Sequence, residues 1–135
     1  MRKINYIVGI LTILLIVIFT AVRTPESKGP PAYNAASETT ATGVVEETRE
    51  FFCAISDEPG AHIVLRTNDG KLLVHLGPAR FLRLQQFSVS PNDRVTVVGT
   101  RVNYQGQDAM LAREITRGND VLTLRDHQGH PLWVR

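Results

Sequence analysis

Two apolar rhythms divide this chain. From Ile4 to Val22 (INYIVGILTILLIVIFTAV) nineteen residues pass without a charged side chain, whereas from Val44 onward apolar residues recur at alternate positions in short runs separated by turn residues. At about 1.5 Å of rise per residue, the first run makes a helix about as long as the roughly 30 Å hydrocarbon core of a bilayer. The second rhythm is the strand period. Val44-Val45 through Phe51-Phe52 predicts a long first strand interrupted by the polar stretch Glu46 to Glu50. A turn over Ser56 to Ala61 leads to a second strand, His62 to Thr67. Asn68-Asp69-Gly70 then marks a hairpin, because Asn and Gly tolerate the positive φ such turns need. Leu72 to Leu76 returns as the third strand.

The rhythm then changes. Gly77-Pro78 ends the strand, and Ala79 to Phe87 (ARFLRLQQF) carries Phe81, Leu82, Leu84 and Phe87 at helical spacing, with Pro78 suited to the start. Beyond a turn at Ser90 to Asp93, Arg94 to Tyr104 is a strand in which Gly99 marks a bulge or bend. Gln105 to Asp108 turns back into Ala109 to Thr116, and Val121 to Arg125 alternates once more. The expected class is all-β with one small helix: a five- to six-strand oligonucleotide/oligosaccharide-binding (OB) type barrel after a single N-terminal transmembrane helix. Another small barrel, or a sandwich lacking strands, has the same element order.

This pattern divides the chain into an anchor (residues 1–23), a flexible linker rich in Pro, Ser, Thr, Ala and Gly (24–41) and the OB-like domain (42–135). Neither Val22 nor Arg23 suits the position before a signal-peptide cut, which favours a retained anchor over a cleaved signal. The lone cysteine, Cys53, lies too deep for a lipoprotein anchor, and its expected role is a buried, inert thiol. Arg2 and Lys3 nearly balance Arg23 and Lys28, and the short N-terminal stub points the domain to the extracytoplasmic side.

The formal charge of +2 invites a nucleic-acid reading, but its distribution argues against one. From Thr42 to Arg135 there are 11 basic and 11 acidic side chains, so the excess belongs to the membrane flank. A nucleic-acid-binding domain carries its basic patch on the fold itself.

The strings VHLGPARFLRLQQF, NDRVTVVGTRV and LAREITRGNDVLTLRDHQGHPLW resemble a group of short bacterial envelope proteins with an OB-type domain, over roughly His62 to Trp133. Members of that group are often labelled DNA-binding and have no settled function. The resemblance implies the fold and an envelope setting, and it transfers no catalytic or ligand residues.

Candidate chemistry is sparse. His127-x-x-His130 supplies two donors where a metal site needs three or four, and no metal ligand set is expected. The anchor-plus-OB layout is similar to that of the haem chaperone of cytochrome c maturation, which attaches haem through a His-x-x-x-Tyr motif. Here His127 would need a tyrosine at the position of Pro131, so no cofactor is expected. The second and third strands lack aromatics, while Phe51, Phe52, Phe81 and Phe87 are expected in the core and Trp133 at an open end of the barrel. Strict alternation turns Arg113 inward, which requires a bulge or a carboxylate partner such as Asp126. OB domains take ligands across the second and third strands and the flanking loops. The candidate binding residues are therefore Arg66 and His75, with Arg113 as a third. No nucleophile–base pair, phosphate loop or carboxylate cleft is legible, so catalysis is not expected. The sequence points to a membrane-tethered module, held in the bilayer through Ile4–Val22, that binds a protein partner or small ligand as an accessory or assembly factor of an envelope complex. A single-stranded nucleic-acid module is the alternative, and a haem or metal carrier the third.

Overall fold

The computed structural model describes residues 29–134; the expected anchor, Ile4 to Val22, lies outside them. Among the described residues no helix is long and apolar enough to cross a membrane. The chain runs β1 (Glu38–Cys53), β2 (Glu58–Thr67), β3 (Gly70–Pro78), α1 (Ala79–Leu84), β4 (Arg94–Tyr104), β5 (Gln107–Arg117) and β6 (Asp120–Thr123). The six strands form one sheet in the order β3-β2-β1-β4-β5-β6, and a short parallel pairing joins β3 to β5.

β1 organises this sheet. Its first half, Glu38 to Val44, pairs with β4, and from Val44 to Cys53 it pairs with β2. The strand begins inside the stretch read as linker, because Thr39, Thr40 and Thr42 are β-branched and complete a ladder with Val95 to Gly99. The order extends back to Tyr33, whose hydroxyl donates to Glu38, and to Asn34, whose carbonyl accepts from Thr100. A β-bulge between Val45 and Glu47 inserts one residue and reverses the faces of the strand. Before it, Ala41, Gly43 and Val45 are buried; after it, Thr48 shares a face with core residue Ile63, and Arg49, Phe51 and Cys53 face the other way with His62. Phe51, turned to the outer face by the bulge, and Phe52, near the end of the strand, were expected in the core and are exposed, whereas Phe81 and Phe87 are buried.

The hairpins follow their turn residues. Thr67 pairs with Gly70 around Asn68-Asp69, and Gln105 and Gly106 both take positive φ between β4 and β5, as a two-residue type I′ turn requires. The helix is shorter than its apolar spacing implied. Gln86 adopts φ of 53°, and the Phe87 and Gln86 amides donate to the Leu82 and Arg83 carbonyls, a Schellman stop. Leu84 consequently points to water, while Phe81, Leu82 and Phe87 join the core with Val45, Leu65, Val97 and Ile115. The tail folds back so that Trp133 is buried near Phe81, and the Arg125 guanidinium lies 4.9 Å from the Trp133 ring centre and 5.2 Å from that of Tyr33.

Two sequence expectations meet at β4–β5. The register shifts between Val98 and Gly99, and Arg113 is the extra residue on the opposing strand. Its partner is Glu38, not Asp126: Arg113 Nε donates to Glu38 Oε1 at 2.5 Å, the same oxygen that accepts from Tyr33. These bonds, with the Arg113 contribution largest, hold the Glu38 carboxyl below its ordinary value of 4.5. A side chain at Gly99 would run into the Leu111 carbonyl oxygen and come within 3.0 Å of Ala112 Cα.

Gly99→Val should therefore destabilise the domain by more than about 2 kcal/mol in urea unfolding, against roughly 0.5 kcal/mol for ordinary surface changes. Because Glu38 has a depressed folded pKa, the stability from its pair is complete above pH 4.5 and is lost as pH falls through the lower folded value. Glu38→Gln should cost about 1–2 kcal/mol at neutral pH and flatten the decline of stability on the acid side, read by unfolding at both conditions.

Candidate functional site

The turn at Asn68-Asp69 determines what lies across the β2–β3 hairpin. Thr67 faces Gly70, and five residues further along each strand His62 faces His75. Both alternate with core residues, Ile63 on one strand and Val74 and Leu76 on the other, so the two imidazoles stand on the sheet face opposite the core. β1 past its bulge brings Arg49, Phe51 and Cys53 to that same face. Cys53 Sγ lies 3.5 Å from His75 Nδ1. One donor atom from each of Cys53, His62 and His75 falls within 4.8 Å of the others. Gly60 makes the approach possible, since a Cβ there would sit 2.9 Å from Cys53 Cβ and 3.0 Å from His62 Cε1.

The cluster is screened from water although it lies outside the core. Cys53, His62 and His75 are 5%, 1% and 6% exposed. Phe51 stacks on His62 with ring centres 3.8 Å apart and planes 5° from parallel, the His62 and His75 rings meet edge-on at 4.6 Å, and Tyr104 closes over His75 at 5.9 Å. Burial, reinforced by the neighbouring His75, pushes His62 down to about 4, and burial also lowers His75. Both rings are thus neutral near pH 7 and keep a lone pair for donation. By strict hydrogen-bond geometry neither His62 nitrogen, nor His75 Nε2, is paired among the described residues, although the Gly60 and Arg49 backbones lie near enough to His62 to oppose its downward shift.

The expected binding residues are not brought together. His75 belongs to the cluster and is buried rather than displayed on an open face. Arg66 is exposed on β2 and shares Glu46 with Lys71. Arg113 is committed to Glu38 on the β4–β5 side. His127 and His130 are exposed in the last loop, with His130 bonded to Asp126. Cys53, read as inert, and His62 are the partners that the sequence reading did not join to His75. Counting outward from the Asn68-Asp69 turn finds the His62–His75 pair; Cys53 depends on the bulge in β1, which has no comparable local signal. The same face continues into a groove of about 330 Å³ lined by Arg49, Val64, Lys71, Leu73, Gln107 and Asp108.

These features define a small β-sheet domain with a buried Cys/His cluster on one sheet face. The MamS/MamX magnetosome protein family model matches residues 37–122, more than half of the chain and nearly all of β1 to β6. The chain belongs to that family. No curated protein matches it.

Gly60→Ala should cost about 1–3 kcal/mol, because its methyl must displace Cys53 or His62, whereas Arg66→Ala should stay within about 0.5 kcal/mol as an exposed pair. Urea unfolding of the two variants side by side checks both.

Proposed function

We propose that the chain is a membrane-tethered, non-catalytic binding module of the magnetosome, acting as an accessory or assembly component of an envelope complex. The family match carries this reading, because it covers the sheet domain and so attaches the magnetosome association to the folded part of the chain. The pairing β1–β2–β3–β5–β4 and back to β1 supports an OB-type barrel, with the helix between β3 and β4 as in that fold. An OB barrel is a scaffold that hosts many ligands, so its partner follows from surface chemistry. On the β2–β3 face Arg66 and Lys71 share Glu46, and Arg49 pairs with Glu47, so these five side chains sum to a single positive charge. That weakly charged surface favours a protein partner over a nucleic acid, which would require an extended basic strip. The apolar run Ile4–Val22 supports attachment to the bilayer, with the domain on the extracytoplasmic side.

In a magnetosome-forming bacterium the full chain should cofractionate with magnetosomes and remain in the membrane pellet after carbonate washing. A chain beginning at Gly29, which keeps the Tyr33–Glu38 contact, should stay in the supernatant. Recovery of the full-length product as a shortened soluble form would replace the anchor with a cleaved signal, and oligonucleotide binding with a steep log–log salt dependence would replace the protein partner with a nucleic acid.

A further inference from the structure

We propose that Cys53, His62 and His75 bind a single transition-metal ion of the zinc or copper class, through one thiolate sulfur and two imidazole nitrogens. This goes beyond the binding-module reading and does not rest on it.

The distances suit the assignment. A thiolate sulfur and an imidazole nitrogen on one tetrahedral zinc, at bond lengths of about 2.3 Å and 2.0–2.1 Å, lie roughly 3.5 Å from each other. The Cys53 Sγ–His75 Nδ1 separation is 3.5 Å. His62 comes from the strand between those carrying the other two residues, and its nitrogen is within 4.8 Å of both donors.

The unpaired nitrogens give a second, independent indication. Two imidazoles, each more than nine-tenths buried, together leave three ring nitrogens without a hydrogen-bond partner among the described residues. An unsatisfied buried polar group costs about 1–3 kcal/mol, so a purely structural role for this pair wastes stability that two apolar side chains would keep. A bound cation takes one lone pair from each ring: on His62 it satisfies one of the two unpartnered nitrogens, and on His75 it uses Nδ1, the atom that faces Cys53 Sγ. The donor set selects the ion: sulfur and imidazole suit zinc and copper, while magnesium, calcium and manganese prefer carboxylate, carbonyl and water oxygens. Three protein donors leave the fourth tetrahedral position to solvent or an exogenous ligand. On binding, the Cys53 thiol proton is released to solvent and the sulfur lone pair enters the metal–sulfur bond. The Phe51 ring over His62 fixes the orientation of that imidazole.

The test is a titration of the purified full chain in detergent with cobalt(II), a spectroscopic substitute for zinc, followed by competition with zinc(II) and copper. The expected result is one equivalent bound, with a sulfur-to-metal charge-transfer band in the near ultraviolet and tetrahedral d–d bands in the visible, displaced by zinc. Cys53→Ser should abolish the charge-transfer band, and His62→Gln or His75→Gln should each weaken binding at least tenfold. The His127→Ala/His130→Ala double variant should bind as the wild type does. Circular dichroism of each metal-free variant separates loss of a ligand from loss of the fold. If a variant fails to fold, the wild type decides through its melting temperature, which zinc should raise in proportion to the logarithm of its concentration above the Kd. Absence of a saturable band together with an unchanged melting temperature would overturn the proposal. So would a band that survives Cys53→Ser, or binding lost only in the His127/His130 variant. Magnetosome fractionation is not involved in this measurement, so either reading can fail alone.

Discussion

One extra residue in β1, at the Val45–Glu47 bulge, decides which side of the sheet everything after it faces. A regular sixteen-residue strand would have kept its odd-numbered positions on the core side throughout. The bulge lets the strand leave β4, bend, and continue along β2 with its faces exchanged. The loop before β4 pins that bend, since the Val45 amide donates to the Asp93 carbonyl and the Asn92 amide to the Val45 carbonyl. Val45 stays fully buried in the core, while Cys53, eight positions on, is delivered to the opposite face beside two histidines. Without the exchange Cys53 would point toward the core, and His62 and His75 would have no third neighbour of their kind.

This dependence explains what could be read from the sequence. Features governed by a few adjacent residues were legible: the Asn68-Asp69 hairpin, the Gln105-Gly106 turn and the irregularity at Gly99 appear where the local chemistry placed them, while the strand expected to stop before Gly77-Pro78 runs through both, pairing with Ala61 and Gly60, before the helix begins. Features governed by pairing between distant segments were not. Phe51 and Phe52 read as core because large aromatic side chains are commonly buried, which does not reveal that the bulge turns Phe51 to the outer face and that Phe52 lies exposed near the strand's end. Leu84 read as inward because three apolar positions at helical spacing do not reveal that the helix stops one turn early at Gln86. Arg113 was recognised as needing a bulge or a carboxylate; it has both, but the carboxylate comes from Glu38, 75 residues away and within a stretch whose composition reads as linker.

The candidate site follows the same division. His75 was expected on the third strand, where it lies, yet in the open rather than under Tyr104 and against Cys53. A histidine in an alternating strand reads as solvated unless something covers it, and here the covers come from β1 and from the end of β4. The lone cysteine read as inert because burial of a thiol is common. Its neighbours, rather than its burial, give it chemistry.

The Tyr33–Arg125–Trp133 stack has a mechanical consequence. Arg125 lies between one ring from the entrance to the domain and another from its final residues, and its Nη1 donates to the Gly129 carbonyl. Tension applied to the chain ahead of Gly29 meets this clamp, and the Tyr33–Glu38 hydrogen bond, before it reaches the first rung of the ladder at Glu38–Thr100. A load must pull an aromatic ring off a buried guanidinium before it can begin to unzip β1 from β4. The two ends of the domain are thus tied together at the entrance of β1, at the opposite end of that strand from the Cys/His cluster.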